Sequence, residues 1–130
     1  MAAKEASEEK TLSFSEAEKA YLAGQRLLRI GTVANSLEVD VAPVVYRFDG
    51  EKFHVGGLNI RRTLKYKNVE ANGKVALVVD DLKTIDPWAP RGIKIHGRGT
   101  IVVRPDGREI IEVQPERKWS WGIDSSTYGR

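Results

Sequence analysis

Residues 27–57 read LLRIGTVANSLEVDVAPVVYRFDGEKFHVGG, and their pattern decides the fold class. Three runs rich in β-branched and aromatic residues, LLRIGTVA, VDVAPVVYRFDG and KFHVGG, are separated by NSLE and DGEK. Short polar connections of this kind join antiparallel strands, so the stretch predicts a three-stranded meander. On its N-terminal side, SFSEAEKAYLAGQRLL places Ser15 three residues before Glu18, the spacing of a capping box. Phe14 is set to staple back, and Ala17, Tyr21 and Leu22 recur at helical spacing, which predicts a helix from about Glu16 to Gly24. Residues 1–13 are polar and aperiodic, a tail ahead of a single domain spanning 14–130.

On its C-terminal side, Ile60, Leu64 and Val69 share a helical face, and ANGK closes that second helix with Asn72 and Gly73. KVALVVDD is a nearly continuous apolar run, the pattern of a strand buried on both faces. LKTIDPWAPRG carries two prolines and reads as a loop. IKIHGRGTIVV then alternates, with Ile93 and Ile95 facing one way and Lys94 and His96 the other, and RPDGRE turns the chain into IIEV. About six strands and two short helices in this order predict a mainly β protein, a compact barrel whose second helix plugs an end or a gap.

Composition narrows the function. A chain of 130 residues holds one domain with a real core. Twenty-one Lys and Arg against 18 Asp and Glu leave a net charge of +3, too small an excess to argue for nucleic acid. The absence of cysteine removes disulfides, thiolate nucleophiles and thiolate metal sites, and suits a reducing compartment. MAAKEASEEK is no secretory leader, and no apolar run is long enough for a membrane helix. A cytoplasmic protein without membrane or nucleic-acid partners is expected.

The chemistry-bearing stretch is residues 56–68, GGLNIRRTLKYKN, with four cations between Arg61 and Lys67 and no acid among them. Arg61 and Lys65, four apart, would share a helical face, with Asn59 as cap and Thr63 in the first turn, where free backbone N–H groups point outward. A phosphate there would meet a hydroxyl, a cation and the positive end of the helix, while Gly56 and Gly57 allow backbone to approach a ligand closely. A solvated basic face and a nucleic-acid patch are the competing readings. Other constellations are weaker. His54 and His96 stand on different strands, so a metal site would need unlinked partners. Asp80 and Asp81, adjacent on a strand, point to opposite faces, and no serine sits in a G-x-S-x-G elbow. Trp88, Trp119 and Trp121 fall in loop or tail segments, as packing and subunit contacts or as a wall for a planar ligand. Catalytic residues are not identifiable, and any chemistry falls to a cofactor.

The order of LLRIGTVANSLEVDVAPVVYRFDGEKFHVGG, RTLKYKNVEANGKVALVVDD, DPWAPRGIKIHGRG and WSWGID resembles the pyridoxamine 5'-phosphate oxidase-like FMN-binding split-barrel proteins, and within them the deazaflavin (coenzyme F-420)-dependent subgroup. The resemblance implies a six-stranded antiparallel split β-barrel with two or three short helices. It also implies a homodimer with cofactor sites between subunits, and an oxidoreductase using FMN or coenzyme F-420 on a small-molecule substrate. Carried over, Pro43, Val44, Val45 and Tyr46 run beside the flavin ring, and Gly56 and Gly57 end the next strand. Thr63 and Lys65 take the phosphate with Arg61 or Arg62, and Trp88, Arg91 and Trp121 reach the cofactor, at least one from the second subunit. True pyridoxamine phosphate oxidases carry a longer C-terminal segment and an Arg-Gln pair where this chain has Arg91 and Gly92, so vitamer oxidation is not expected. A non-catalytic protein holding a flavin or a haem-derived ligand in the same pocket is the alternative, with a nucleic-acid-binding barrel behind it.

Overall fold

The computed structural model describes residues 12–124. Its strands are β1 (Leu27–Val33), β2 (Val39–Val45), β3 (Arg47–Phe48), β4 (Phe53–Val55), β5 (Lys74–Leu82), β6 (Pro90–Val103) and β7 (Glu109–Trp121). Helices α1 (Glu16–Gly24) and α2 (Leu64–Asn72) and a 3-10 turn over Ile60–Arg62 accompany them. The strands form one sheet in the order β2-β1-β5-β6-β7-β4-β3. Its two edges are therefore neighbours in sequence, separated only by Tyr46. A sheet whose outermost strands are joined by one residue must curl until its edges approach, which makes it a split barrel. Counted as one bent strand, β2 and β3 restore the expected six.

The three-strand meander is corrected. NSLE does join β1 to β2, pairing Leu27 with Val45 through to Val33 with Val39, and DGEK joins β3 to β4. The two hairpins nevertheless lie at opposite edges of the sheet, because pairing breaks at Tyr46. Its ring packs inward beside Phe53, and its hydroxyl donates to the Leu22 carbonyl at 2.6 Å. The inner face carries the core, with Leu28, Ile30, Phe53, Val55, Leu77, Val79, Ile93, Ile95, Ile111 and Val113 essentially inaccessible. Phe53 meets Phe48 at 4.5 Å between ring centroids, and Phe48 meets Phe14 edge-on at 4.8 Å. Leu12 also packs against this core.

Three further expectations change. β5 buries only Val75, Leu77 and Val79, while Ala76 and Val78 on its other face stay half-exposed. Pro90, Arg91 and Gly92 belong to β6, opposite Leu82, Asp81 and Asp80, so the proline-bearing loop shortens to residues 83–89. Trp119 and Trp121 are in β7 and not in a tail. The residues after 124, like most of the expected N-terminal tail, lie outside the described residues.

The helix starts follow from local chemistry. Ser15 Oγ accepts from the Glu18 N–H at 3.1 Å while Glu18 accepts from the Ser15 N–H at 2.9 Å, the expected capping box. At the second helix the expected cap is wrong. Asn59, in left-handed geometry at φ 54°, stands at the head of the 3-10 turn with no side-chain cap bond, and Thr63 caps α2 by accepting from the Tyr66 N–H at 3.3 Å. Arg61 therefore precedes the helix, and Arg61 and Lys65 do not share a helical face. Gly73 closes α2 at φ 72°, where a side chain would be strained and its Cβ would stand 3.1 Å from the Gly99 carbonyl.

Candidate functional site

Strand β4 ends at Val55, and from there Gly56 and Gly57 lead the chain out through exposed Leu58 to the 3-10 turn. Opposite stands the hairpin between β6 and β7. Between Gly56–Arg62 and Arg108–Ile110 lies a cavity of about 650 Å³. A second, of about 320 Å³, shares Gly56, Arg108 and Ile110 with it and extends to Val45, Tyr46, Arg47, His54 and Arg104. A Cβ placed on Gly57 would meet nothing within 4 Å, so the backbone there is open to a ligand.

Charge around these cavities is unevenly committed. Arg61 Nε lies 2.7 Å from Glu109 Oε1, and the Tyr66 hydroxyl donates to Glu109 Oε2 at 2.9 Å. Arg61 is thus compensated and braced. Arg47, Arg62 and Arg104 have no ion-pair partner among the described residues, and Arg108 reaches only Asp106, at 3.9 Å. Guanidinium groups in this state suit a phosphate, whose oxygens accept paired N–H donors.

Tyr46, His54 and Asp106 line the smaller cavity beside its arginines. Burial pushes the Tyr46 hydroxyl up to about 12, so it stays neutral and serves the Leu22 carbonyl instead of a ligand. His54 Nε2 is held by Asp49 at 2.7 Å, and its Nδ1 is buried without a hydrogen-bond partner, 4.0 Å from Glu112. Burial works to raise the Asp49 carboxyl, but the His54 contact and the Lys52 and Glu51 amides outweigh it and hold the group at about 2.

None of the established protein-family profiles matches the chain. A 5a,11a-dehydrotetracycline/5a,11a-dehydrooxytetracycline reductase of Streptomyces rimosus is 33% identical over 124 aligned residues, covering 87% of this chain and 86% of the relative. Among solved structures, a conserved hypothetical protein of Mycobacterium tuberculosis superposes with a TM-score of 0.71 at 18% identity, over 87% of this chain and 88% of that one. A putative pyridoxamine 5'-phosphate oxidase of Listeria innocua gives 0.67 at 12%, over 83% and 99%. An F-420 reductase gives 0.65 at 21%, over 81% and 98%. The haem storage protein of Vibrio cholerae gives 0.68 at 15%, over 86% and 97%. The chain belongs to the pyridoxamine 5'-phosphate oxidase-like split-barrel family.

Within this split barrel, the structure brings together Gly56, Gly57, Arg61 and Arg62 at one cavity, with Val45 and Tyr46 at the other. Pro43 and Val44 lie upstream on β2, Val44 packed toward the core. Thr63 spends its hydroxyl on the cap, donating to the Ile60 carbonyl at 2.6 Å. Lys65 is half-buried in the first turn of α2 with no ion-pair partner among the described residues. Trp88, Arg91 and Trp121 stand at the far end of the 14-residue β6, roughly 40 Å along the strands from the cavity within one protomer. There Arg91 grips Asp81 with two donors at 2.8 and 3.0 Å. Sequence reasoning missed Arg104 and Arg108. Their signal was the RPDGRE turn, which sets one arginine on each side of a tight hairpin.

Proposed function

We propose that this split-barrel protein is a reductase that binds FMN or coenzyme F-420 between two copies of the chain and reduces an unsaturated small molecule. The observation that carries the reading is the glycine-floored cavity bordered by Arg62, which has no ion-pair partner among the described residues, and by Arg108, which reaches only Asp106 at 3.9 Å, in a chain 33% identical to a reductase. The donor set fits the cofactor: Arg62 and Arg108 would receive its phosphate, with Lys65 and the first turn of α2 beside them, while Arg61 positions the turn through Glu109. The bound ring supplies hydride chemistry, and the chain supplies orientation and exclusion of water.

A homodimer is part of this proposal. Val39, Val41 and Val45 project from β2 with 77, 68 and 63% of their surface exposed, an apolar row unusual on a solvated face. Ile85 and Trp88 likewise project from the loop at the opposite end, 74 and 68% exposed. In the dimer these apolar groups are covered, and the partner's Trp88 loop approaches the cofactor that its own protomer holds at a distance. Haem ligation is less favoured. His54 lines a cavity but is tied to Asp49 with its other nitrogen buried, and His96 packs edge-on against Trp119 on the outer face.

Titration of the purified protein with FMN and with coenzyme F-420, each in its oxidised and its pre-reduced form, followed by single-turnover reduction of conjugated enones by the reduced complexes, tests the reading. Binding of either flavin with reoxidation by an enone is the expected result. Absence of binding by both, or binding with no electron transfer to any acceptor, refutes the reductase assignment. Sedimentation at micromolar concentration is expected to show a dimer, and a monomer with cofactor bound would refute the intersubunit site.

A further inference from the structure

The smaller cavity holds more positive charge than one phosphate uses. Strand order sets its walls. β4 and β7 lie between β3 and β6, and register aligns Arg47 on β3 with His54 on β4, and His54 with Glu112 on β7. Gly56 and Ile110 form the floor, with Arg47 on the β3 side and the β6–β7 hairpin on the other. In that hairpin the Arg104 N–H donates to the Arg108 carbonyl at 2.7 Å, which holds the two arginines side by side. The space of about 320 Å³ has room for a small molecule.

The acids nearby are engaged elsewhere. Asp49 holds His54 Nε2 at 2.7 Å, and Lys52 Nζ reaches Glu112 Oε1 at 3.4 Å. Asp106 is the acid among the lining residues, and its Oδ1 accepts from the Arg108 N–H at 2.9 Å while Arg108 Nε stands 3.9 Å from its Oδ2. Arg47 and Arg104 thus face one walled space without a carboxylate partner among the described residues. Charges of one sign gathered on such a space draw in an ion of the other sign. The phosphate placed at Arg62 and Arg108 does not account for them. Arg62 lines the larger cavity alone, Arg47 and Arg104 line the smaller alone, and Arg108 stands between the two. A second acidic group is needed to use this pair.

We propose that the smaller cavity recognises an acidic group of the substrate, a carboxylate or an ionised enol, through Arg47 and Arg104, and that the substrates are therefore unsaturated acids. The acid meets the two guanidinium groups, whose paired N–H donors match its oxygens, and the carbon skeleton lies on Ile110 beside Val45. Val45 belongs to the β2 row covered in the proposed dimer, so the cavity opens at the subunit seam where the cofactor is placed, and dimer formation encloses the substrate. Naming the acid as the reductase's substrate rests on the function proposed above, whereas the anion site itself does not.

The test uses the full chain. 3-Benzoylacrylate and its methyl ester are enones that differ in charge, and a chain without cysteine has no thiol to add to them. 3-Benzoylpropionate and its methyl ester are the saturated, unreactive pair for equilibrium binding. Wild type is expected to favour the acid of each pair, and equal or better binding of the ester overturns the site before any variant is made. In Arg47→Gln/Arg104→Gln, the Kd of 3-benzoylpropionate and the 3-benzoylacrylate concentration that half-saturates single-turnover reoxidation should each rise about tenfold, while the ester values change less than about twofold. Equal losses for acid and ester, or none, overturn the proposal. FMN and coenzyme F-420 affinities should stay as in wild type. A fall in either as large as that for the acid assigns the pair to the cofactor's own acidic groups and also overturns it, as does a shift from dimer to monomer in sedimentation. Arg47→Lys/Arg104→Lys, which keeps both charges, should retain the preference for the acid, and its loss there overturns charge as the basis of recognition. If neither flavin binds wild type, 3-benzoylpropionate still reads the arginines, so the reductase reading falls separately.

Discussion

The two ends of the barrel use charge in opposite ways. At the end formed by α1 and the start of β6, the main cations are committed. Glu18, 2% exposed, accepts from Lys118 at 2.8 Å and from Ser120 at 3.0 Å, while Arg91 is bidentate to Asp81 and lies over the Tyr21 ring at 5.0 Å. At the end formed by the 3-10 turn and the β6–β7 hairpin, Arg61 alone is similarly braced, and Arg47, Arg62 and Arg104 are free of carboxylates among the described residues. A cation with an internal carboxylate partner is a fixed part of the fold. One left uncommitted beside an open backbone is available to a ligand. A count of basic residues in the sequence does not separate the two kinds.

Breaking the committed end should have the largest effect. Burial works to raise the Glu18 carboxyl, but Lys118, the Ser15 amide and Ser120 outweigh it and hold it below the usual carboxylate range. Glu18→Gln leaves the Lys118 ammonium without its counter-charge and is expected to lower unfolding free energy by about 3 kcal/mol, with cofactor affinity unchanged. Chemical denaturation beside flavin titration checks both halves, and an affinity loss would erase the distinction between the ends. Arg62→Ala and Lys65→Ala should do the reverse. Each is expected to weaken flavin binding by about tenfold, near 1.4 kcal/mol, without altering the denaturation midpoint. Lys67, exposed on α2, is the control, and an equal loss for Lys67→Ala would mean that the stretch acts through general basicity.

Arg91→Ala sharpens the comparison. With both partners about 30% exposed, losing the Asp81 pair is expected to cost only about 1 kcal/mol after solvent screening. A fold-only role leaves flavin affinity intact, whereas a tenfold loss would show that this end serves the partner's cofactor across the dimer. The smallest effect concerns pH. Asp49 is held at about 2 against an ordinary 3.8, so its contribution is present above about pH 4 and lost as pH falls toward 2. Its carboxylate is 35% exposed, which discounts that contribution to about 1 kcal/mol or less. Asp49→Asn should therefore differ from wild type in stability at pH 6 and converge with it near pH 2. A constant gap across that range would assign the difference to packing.

Signals that act over a few residues were legible in the sequence. The Ser15–Glu18 capping box needs only a three-residue spacing, and α1 spans the predicted range. The alternation of Ile93 and Ile95 with Lys94 and His96 requires only the two-residue period of a strand, and the structure keeps it. The family likeness extended this, because the order of such local signals is itself a pattern. The cap of α2 was misplaced because Asn59 and Thr63 are both competent capping residues, and a 3-10 turn that separates them by one extra step has no marked signature.

By itself the sequence determined the antiparallel β character, the two helices and the basic stretch after a glycine pair, since each depends on neighbours along the chain. Only the tertiary structure decided that β2 and β3 close the sheet from opposite edges, that Trp119 and Trp121 belong to β7, and which arginines are free. Those outcomes depend on contacts between residues far apart in the chain. Glu109 reaches back across nearly fifty residues to neutralise Arg61, and Asp81 does the same for Arg91 across a loop, while nothing among the described residues does so for Arg62. Whether a charge is spent or available is a property of its spatial neighbours, because Coulomb attraction and desolvation act through space, and curling of the sheet chooses those neighbours.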